Sequence, residues 1–348
     1  MNLATSRNFV AALLVAGAAL APGLAAHAAP AADTASDLKA TARARLAQTE
    51  PTLVIDHIEI RAIMGDYATA VAYPDLAKNE TDPGTIILHK ENGVWQGVGG
   101  PGTAFPPGAD REGAPDALFD YDNPYTGDNA ENAINRITVA HKTYFSDYVK
   151  FDYPADGVID ADSTPSKVTV LGPKVREPIY DGPAYEVTIQ PLNVQTTALD
   201  EWGVARMAQE IAQREAENGK GGPNTQPQFA TYYHLERPLG AYDAFQIDWF
   251  GGDSTQRELF LAPQGGGPIV LIATRVYPVQ NNPGAPQAES AVNLLLNTLE
   301  QPVNMIQQPG MPRTGARLDL ALPVVLLSLA VSAMALGADL RRRSARRA

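Results

Sequence analysis

An acidic segment, residues 120–131, carries the side chains that are best spaced to bind an ion. Carboxylates stand at positions 1, 3, 9 and 12 of these twelve residues, and they belong to Asp120, Asp122, Asp128 and Glu131. A twelve-residue calcium loop takes oxygen ligands from these positions. Position 5 is a proline, however, and a tyrosine stands where the turn needs glycine at position 6. The spacing indicates a weak calcium candidate, with a solvated acidic loop as the alternative.

The histidines that follow residue 28 show no His-x-x-x-His spacing. They are His57, His89, His141 and His234. His57 and Glu59 are two residues apart, as are His234 and Glu236, so each pair lies on one side of a strand. Pairs of this kind usually decorate a solvated face. A zinc site assembled between domains is the alternative.

Two further motifs predict no chemistry. Residues 97–102 match Gly-x-Gly-x-x-Gly, but residues 103–107 include two prolines and cannot form the helix that would hold a dinucleotide. A tight turn with positive φ explains these glycines better. No Gly-x-Ser-x-Gly is present, and Ser254 fits a turn. No catalytic residue is predicted, although a triad can assemble in space from distant residues.

Aromatic residues between positions 232 and 250 are the weak candidates for ligand contact. Core packing is the usual fate of such residues, and it is the expectation for Phe245 and Trp249. The three-residue separation of Tyr242 and Phe245 puts them on opposite faces of a strand, which favours exposure of one of them. Tyr232 and Tyr242 are therefore kept as candidate binding residues.

The periodicity of the chain predicts a short helix, an antiparallel sheet and two further helices. Residues 36–48 favour the first helix, and Asn-Gly at positions 92–93 predicts a hairpin between two strands. The second helix opens at Thr197 with a sequence similar to a capping box, in which Asp200 replaces the usual glutamate, and Asn218-Gly219 ends it. Pro286 begins the third helix, whose apolar stripe is Ala288, Val292, Leu295 and Leu299.

The fold class is therefore α+β. Residues 36–105 form a small helix-plus-sheet unit, residues 106–143 a linker rich in Pro, Gly and Asp, and residues 144–300 a larger domain. The larger domain resembles the PsbP-like fold through its opening residues 151–157, its helix start at 199–202 and its closing helix at 288–299. The resemblance implies an α/β sandwich with a central antiparallel sheet, and a non-enzymatic binding or accessory role.

Both ends of the chain indicate export. Residues 1–28 have a basic residue, an apolar run and an Ala-His-Ala cleavage site, as a signal peptide does. Residues 318–340 predict a transmembrane helix, because residues 320–338 carry no charge and span roughly 28 Å at about 1.5 Å per residue. The arginines of residues 341–348 predict a cytoplasmic tail, with the globular part outside.

The residues before this span resemble a sortase sorting signal of the Leu-Pro-x-Thr-Gly type. The motif is Met311-Pro312-Arg313-Thr314-Gly315, at the end of a linker over residues 301–314, and methionine replaces the usual leucine. The resemblance implies a sortase as partner, cleavage after Thr314 and attachment to the cell wall. An uncleaved anchor in the cell membrane is the alternative.

Composition excludes several function classes. Removal of both ends takes away seven of 27 basic and two of 39 acidic residues, so the net charge falls from −12 to −17. Nucleic-acid binding is excluded on this ground, since phosphates need a basic face. The chain has no cysteine, which excludes disulfides, thiol nucleophiles and thiolate metal sites.

The sequence thus predicts an extracytoplasmic, surface-anchored binding or structural protein. Its partner would be an envelope polymer, another surface protein or a small ligand, with no cofactor apart from the calcium candidate. The alternative is a surface hydrolase with an unrecognised active site. Clustered titratable groups in a deep cleft would favour the hydrolase, and a shallow face of exposed aromatics would favour the binder.

Overall fold

The computed structural model describes residues 35–103, 105, 111–119, 125, 140–177, 180–222, 224–251, 254–277 and 284–301. The residues predicted as a signal peptide, a sorting motif, a transmembrane helix and a cytoplasmic tail lie outside these ranges. The four carboxylates of the calcium candidate lie outside them as well. Among the helices of the described ranges, none has the length and apolar character needed to cross a bilayer.

The described ranges contain three α-helices and a short 3₁₀ turn at Asp116–Leu118. The helices are α1 (Ala35–Thr49), α2 (Leu199–Asn218) and α3 (Gly284–Thr298). The first seven strands are β1 (Ile55–Met64), β2 (Tyr67–Pro74), β3 (Gly84–Glu91), β4 (Val94–Gly102), β5 (His141–Phe145), β6 (Lys150–Pro154) and β7 (Val158–Ile159). The others are β8 (Val168–Leu171), β9 (Lys174–Glu177), β10 (Tyr180–Pro183), β11 (Tyr185–Pro191), β12 (Pro227–Arg237), β13 (Gly240–Gly251), β14 (Ser254–Pro263) and β15 (Val270–Val276).

Eleven of these strands form one sheet, in the order β4-β3-β2-β1-β12-β13-β14-β15-β11-β8-β7, and every strand pairing within it is antiparallel. Strands β5 and β6 form a separate ribbon, as do β9 and β10. The hairpin predicted between β3 and β4 is confirmed. Glu91 pairs with Val94, and Asn92 and Gly93 between them have φ of 51° and 81°. Positive φ at both turn residues is the type I′ geometry that Asn-Gly favours.

Helices cover both faces of the sheet. Phe245 and Ile247 of β13 belong to a core with residues of α1 and α2, which we call the α1–α2 core. Ala244 of β13 and Leu261 of β14 lie in the opposite core with residues of α3 and β6, which we call the α3 core. Since adjacent residues of a strand point to opposite faces, the central strands are buried on both sides. The prediction of an α+β sandwich around an antiparallel sheet is confirmed.

This double covering corrects the expectation for the aromatic residues. Tyr242 and Phe245 do lie on opposite faces, in the α3 core and the α1–α2 core respectively. Both are nevertheless buried, with 5% and 1% of their surface exposed, because each face has its own helical layer. Tyr232 is buried in the α1–α2 core as well. In their present positions neither Tyr232 nor Tyr242 presents its ring to an external ligand.

A short seam joins the two segments that the sequence predicts as separate units. Strand β1 pairs with β12 through Ala62–Thr231 and Ile63–Ala230. Residues from both segments also share the α1–α2 core, including Leu38 of α1 and Trp249 of β13. The small unit and the larger domain are therefore parts of one continuous sheet in the described ranges.

The start of α2 differs from its prediction. The helix begins at Leu199 after Ala198, and no side chain caps its N-terminus. The carboxylate of Asp200 instead accepts a hydrogen bond from the backbone N–H of Ile60 in β1, at 3.2 Å, and pairs with Lys39 of α1 at 2.8 Å. The carboxylate of Asp200, which the local pattern predicts as part of a helix cap, therefore binds groups of β1 and α1 instead. The stop at Asn218-Gly219 is confirmed.

The glycine-rich residues 97–102 lie in strand β4 rather than in a turn. Gly100 has the positive φ that was expected, 80°. The pairing of β3 with β4 is irregular at this point, between Thr85 and Ile87. A Cβ at Gly97 would lie 2.6 Å from the Cβ of Arg45, so glycine here lets α1 pack closely over β4. The glycine at the start of this motif therefore allows a helix to pack closely on the sheet.

Candidate functional site

Charged and polar side chains from four strands meet near the β1–β12 seam. We call this group the histidine–glutamate cluster, and its members are Asp56, His57, Glu59, Tyr73, His234 and Asp243. The strand register explains the meeting. His57 of β1 pairs with Tyr73 of β2, and His234 of β12 pairs with Asp243 of β13. The pairing of β1 with β12 at Ala62–Thr231 and Ile63–Ala230 holds these two strands side by side.

One carboxylate oxygen stands close to both imidazoles. The Nε2 atom of His57 lies 3.6 Å from Oε1 of Glu59, and the Nε2 atom of His234 lies 3.7 Å from the same oxygen. These separations are too long for hydrogen bonds. Neither Nε2 has a hydrogen-bond partner among the residues that the structure describes.

An aspartate orients each imidazole through its other nitrogen. The Nδ1 atom of His57 lies 2.9 Å from Oδ2 of Asp56, and the Nδ1 atom of His234 lies 2.8 Å from Oδ1 of Asp243. A carboxylate only accepts hydrogen bonds, so Nδ1 must carry the proton in both rings. In the neutral form of each ring, Nε2 is then the unprotonated nitrogen.

The other oxygen of Glu59 is held by hydrogen bonding and charge. The hydroxyl of Tyr73 donates to Oε2 of Glu59 at 3.0 Å, and the guanidinium of Arg61 lies 3.6 Å from the same atom. Burial raises the pKa of Tyr73, the negative charge of Glu59 raises it further, and Arg61 lowers it in part. Tyr73 therefore stays a hydrogen-bond donor at neutral pH and fixes the carboxylate.

The two histidines of the cluster are accessible to solutes, whereas its glutamate is largely buried. The side chains of His57 and His234 are 51% and 45% exposed, whereas that of Glu59 is 14% exposed. The imidazole of His57 stacks on the ring of Tyr73, with centroids 4.4 Å apart and planes inclined by 8°. The ring of Tyr232 contacts His234 edge-on, at 5.4 Å between centroids. Tyr232, which the sequence predicts as a ligand contact, is therefore a buried neighbour that packs against His234.

The two His-x-Glu pairs of the sequence have different outcomes. His57 and Glu59 do lie close together, as their spacing predicts. The carboxylate next to His234 is Asp243 of the neighbouring strand, whereas Glu236 lies exposed. The register of β12 against β13 places Asp243 directly opposite His234. No local pattern marks Asp243 as the partner of His234.

The remaining candidates are dispersed. Ser254 is buried at the start of β14. From the segment of the calcium candidate the structure describes Tyr125, whose carbonyl accepts a hydrogen bond from Arg237 and whose hydroxyl accepts one from Arg257. Nowhere in the described ranges do three or more histidine, cysteine, aspartate or glutamate side chains stand ready-made to hold a metal ion.

A separate cavity of about 400 Å³ lies between the end of α1, the β2–β3 loop and the end of β4. Leu46, Leu53 and Pro101 line it together with Glu50, Glu80 and Asp82. The three acidic residues are exposed, so the cavity is an open depression with an acidic edge. The histidine–glutamate cluster shares no residue with it.

Comparison with known proteins adds no family. No family model matches the chain, and no curated protein does. A crystal structure of a protein from Bacteroides thetaiotaomicron VPI-5482 is similar at 13% identity and a TM-score of 0.24. The match covers 46% of this chain and 48% of that one, so the chain spans about half the length of that protein.

Proposed function

We propose that this protein is an extracytoplasmic binding module, tethered to the bacterial surface, whose ligand contacts the histidine–glutamate cluster. The observation that carries the proposal is the meeting of His57, Glu59 and His234 on a partly exposed part of the sheet. Hydrogen-bonding and charged groups that are fixed by neighbours and reachable from solvent are suited to recognise a ligand. The proposed partners are an envelope polymer, another surface protein or a small ligand.

The PsbP-like assignment of residues 144–300 forms part of this proposal. It is supported by the order of strands and helices in that segment, with α2 and α3 on opposite faces of the antiparallel sheet. Proteins of this fold type serve as accessory or binding subunits, which agrees with a non-enzymatic role.

Envelope binding is tested by sedimentation of the purified full-length protein with isolated cell-wall polymer. We expect His234→Ala and Glu59→Gln each to lower the sedimented fraction at least tenfold, because they remove groups at the centre of the cluster. His141→Ala is the matched control, since His141 is also a part-exposed strand histidine near an aspartate, at 3.6 Å from Asp152. Equal sedimentation of all four proteins would refute the assignment of the ligand face.

Anchoring makes a separate prediction. If a sortase processes the chain, mass spectrometry of the envelope-attached protein finds Thr314 as its last residue. Recovery of mature protein that still ends in Arg347-Ala348 would contradict processing by sortase and leave a transmembrane tether. Replacement of Thr314 by alanine is expected to abolish covalent attachment without changing the thermal unfolding of the globular part.

A surface hydrolase is the second candidate, and one observation favours it. Two Asp–His pairs flank a single glutamate, an arrangement of acids and bases that suits proton transfer to a bound substrate. Under this alternative, Glu59→Gln abolishes hydrolysis of a chromogenic ester or glycoside by the purified protein. Under the binding proposal, the wild-type protein hydrolyses neither.

A further inference from the structure

The cavity at the end of α1 has an apolar floor. Leu46 and Ala72 on this floor are buried, with 3% and 2% of their surface exposed, and Leu53 and Pro101 add partly buried apolar surface. The volume of about 400 Å³ falls within the range of about 300–1,000 Å³ that small-molecule sites occupy. A hydrocarbon group that rests on this floor is removed from water, which favours its binding.

The opening of the cavity carries charge of one sign. Glu50, Glu80 and Asp82 stand at its edge, and none of the described residues that line the cavity is basic. Within the described ranges these three side chains form neither an ion pair nor a hydrogen bond. Helix α1 ends next to the cavity, at Thr49, without a basic residue in its last turn, so the partial negative charge of the helix C-terminus adds to that of the carboxylates. The opening therefore favours a cation.

Asn79 holds the wall that carries Glu80 and Asp82. Its side-chain amide donates hydrogen bonds to the backbone carbonyls of Val54, at 2.8 Å, and Asp75, at 2.9 Å, and its Oδ1 atom accepts the N–H of Val54 at 3.3 Å. These bonds tie the β2–β3 loop to the segment that follows α1. The cavity is therefore formed before a ligand arrives, which lowers the ordering cost of binding.

We propose that this cavity binds an aliphatic ammonium group on a hydrocarbon stem, which is the chemistry of a lysine side chain. The stem lies on the apolar floor and the ammonium stands at the opening, in the way that lysine side chains cover apolar surface while their charged ends stay in water. An ammonium has three N–H donors, so carboxylates of different elements can share it. A bare metal ion would leave the floor uncovered, and an uncharged hydrocarbon would leave the carboxylates without a partner.

The inference concerns a second site and does not rest on the proposed function. The cavity shares no residue with the histidine–glutamate cluster. Envelope polymer can therefore bind at the cluster whether or not an amine binds in the cavity, and the amine can bind without the cluster. The two proposals fail separately.

The test is an NMR titration of the purified full-length protein with hexylammonium chloride at pH 7.0 and low salt. We expect saturable binding. Hexanoate, which has a similar chain and the opposite charge, is expected to bind at least about tenfold more weakly, because it meets the carboxylates. Methylammonium, which lacks the stem, should bind at least about tenfold more weakly as well, because it buries almost no apolar surface. Added salt should weaken the binding of hexylammonium, since the carboxylates are exposed.

Neutralisation of the acidic edge tests the residues. The triple variant Glu50→Gln, Glu80→Gln and Asp82→Asn is expected to bind hexylammonium at least about tenfold more weakly. Each single change should weaken binding only about two- to fivefold, because one exposed charge contributes little. The matched control neutralises three exposed carboxylates that do not line the cavity, and it should keep the wild-type affinity; its changes are Asp147→Asn, Asp162→Asn and Glu236→Gln.

A peptide-borne amine identifies the source of the ligand. Binding of Nα-acetyl-lysine methylamide with an affinity similar to that of hexylammonium supports a lysine side chain, whereas binding of hexylammonium alone supports a free amine. Circular dichroism of each variant separates loss of the site from loss of the fold. Equal affinity for hexylammonium and hexanoate would overturn the proposal. So would the absence of saturable amine binding, or an affinity in the triple variant equal to that of the control.

Discussion

Replacement of Asp200 by alanine is expected to lower the free energy of unfolding by about 3–5 kcal/mol, as removal of one partner of a buried ion pair does. The side chain of Asp200 is 6% exposed, and that of its partner Lys39 is 12% exposed. The same carboxylate also accepts the N–H of Ile60. Its loss leaves the Ile60 N–H without this acceptor and leaves the Lys39 ammonium with the exposed Glu201 as its remaining carboxylate partner, and an unsatisfied donor and a broken ion pair are both costly where they are buried. Chemical denaturation followed by circular dichroism measures the change.

The neighbouring residue supplies a matched control. Glu201 also pairs with Lys39, at 2.9 Å, but its side chain is 54% exposed. Exposed ion pairs contribute about 0–1 kcal/mol, so Glu201→Ala is expected to cost no more than this. Asp200→Asn keeps an oxygen for the Ile60 N–H and loses only the charge. Its cost in free energy of unfolding should therefore lie between those of Asp200→Ala and Glu201→Ala. Equal costs for Asp200→Ala and Glu201→Ala would contradict the assigned role of Asp200.

The pH dependence of the Lys39–Asp200 pair follows from Lys39. Burial lowers the pKa of Lys39, but the carboxylates of Asp200 and Glu201 outweigh burial, so the pKa is raised above 10.5. A lysine whose pKa is higher in the folded state stabilises the fold fully below its unfolded pKa. That contribution is lost as the pH rises through the folded value. The cost of Asp200→Ala should therefore be undiminished at neutral pH and shrink in strongly alkaline solution.

Asp200 also shows where sequence reasoning about the fold reaches its limit. Helix periodicity, the Asn-Gly hairpin and the Asn-Gly helix stop are local signals, and all three predictions are confirmed. A capping box is a local signal as well, but here the carboxylate is used 140 residues away, on Ile60. Local patterns report which residues favour an element and not which distant group competes for a side chain.

The candidate site was beyond prediction for the same physical reason. His57 and His234 are separated by 177 positions in the sequence, and their meeting depends on two residue pairs between β1 and β12. Antiparallel pairing of strands so far apart leaves no mark in the periodicity of either strand, because each strand's pattern reports only which face is buried. The sequence does predict that His57 and Glu59 share one side of a strand, which is half of the arrangement.

The sheet's double covering explains the wrong expectation for the aromatics. An antiparallel sheet often has one solvated face, and the three-residue spacing of Tyr242 and Phe245 then exposes one of them. Here α2 covers the face of Phe245 and α3 covers the face of Tyr242. The sequence contains both helices as amphipathic segments, but periodicity does not decide whether two such helices pack on one face of a sheet or on two.

Gly203 makes the closeness of α2 to the sheet testable. A Cβ built on Gly203 would lie 2.2 Å from Cγ of Phe245 and 2.4 Å from its two Cδ atoms. Normal carbon–carbon contacts are about 3.5–4.0 Å, so the helix or the ring must move. The atoms in conflict are those nearest the backbone of β13, and Phe245 is fully buried, so the ring cannot simply swing away.

We therefore expect Gly203→Ala to destabilise the protein by at least about 2 kcal/mol. Overpacking of a core costs typically about 1–3 kcal/mol, and an overlap this deep lies at or beyond the upper end of that range. The gain of about 1 kcal/mol in helix propensity offsets only part of it. Gly265→Ala is the control, because its Cβ meets nothing within 4 Å, and a change within about 0.5 kcal/mol is expected there.

A double-mutant cycle with Phe245→Ala assigns the cost of Gly203→Ala to the contact itself. Alanine lacks the Cγ and Cδ atoms that conflict with the added methyl group, so the double variant should be more stable than the sum of the two single changes predicts. Thermal or urea denaturation of all four proteins gives the coupling energy. A Gly203→Ala protein as stable as the wild type, or a coupling energy of zero, would mean that α2 does not rest on Phe245.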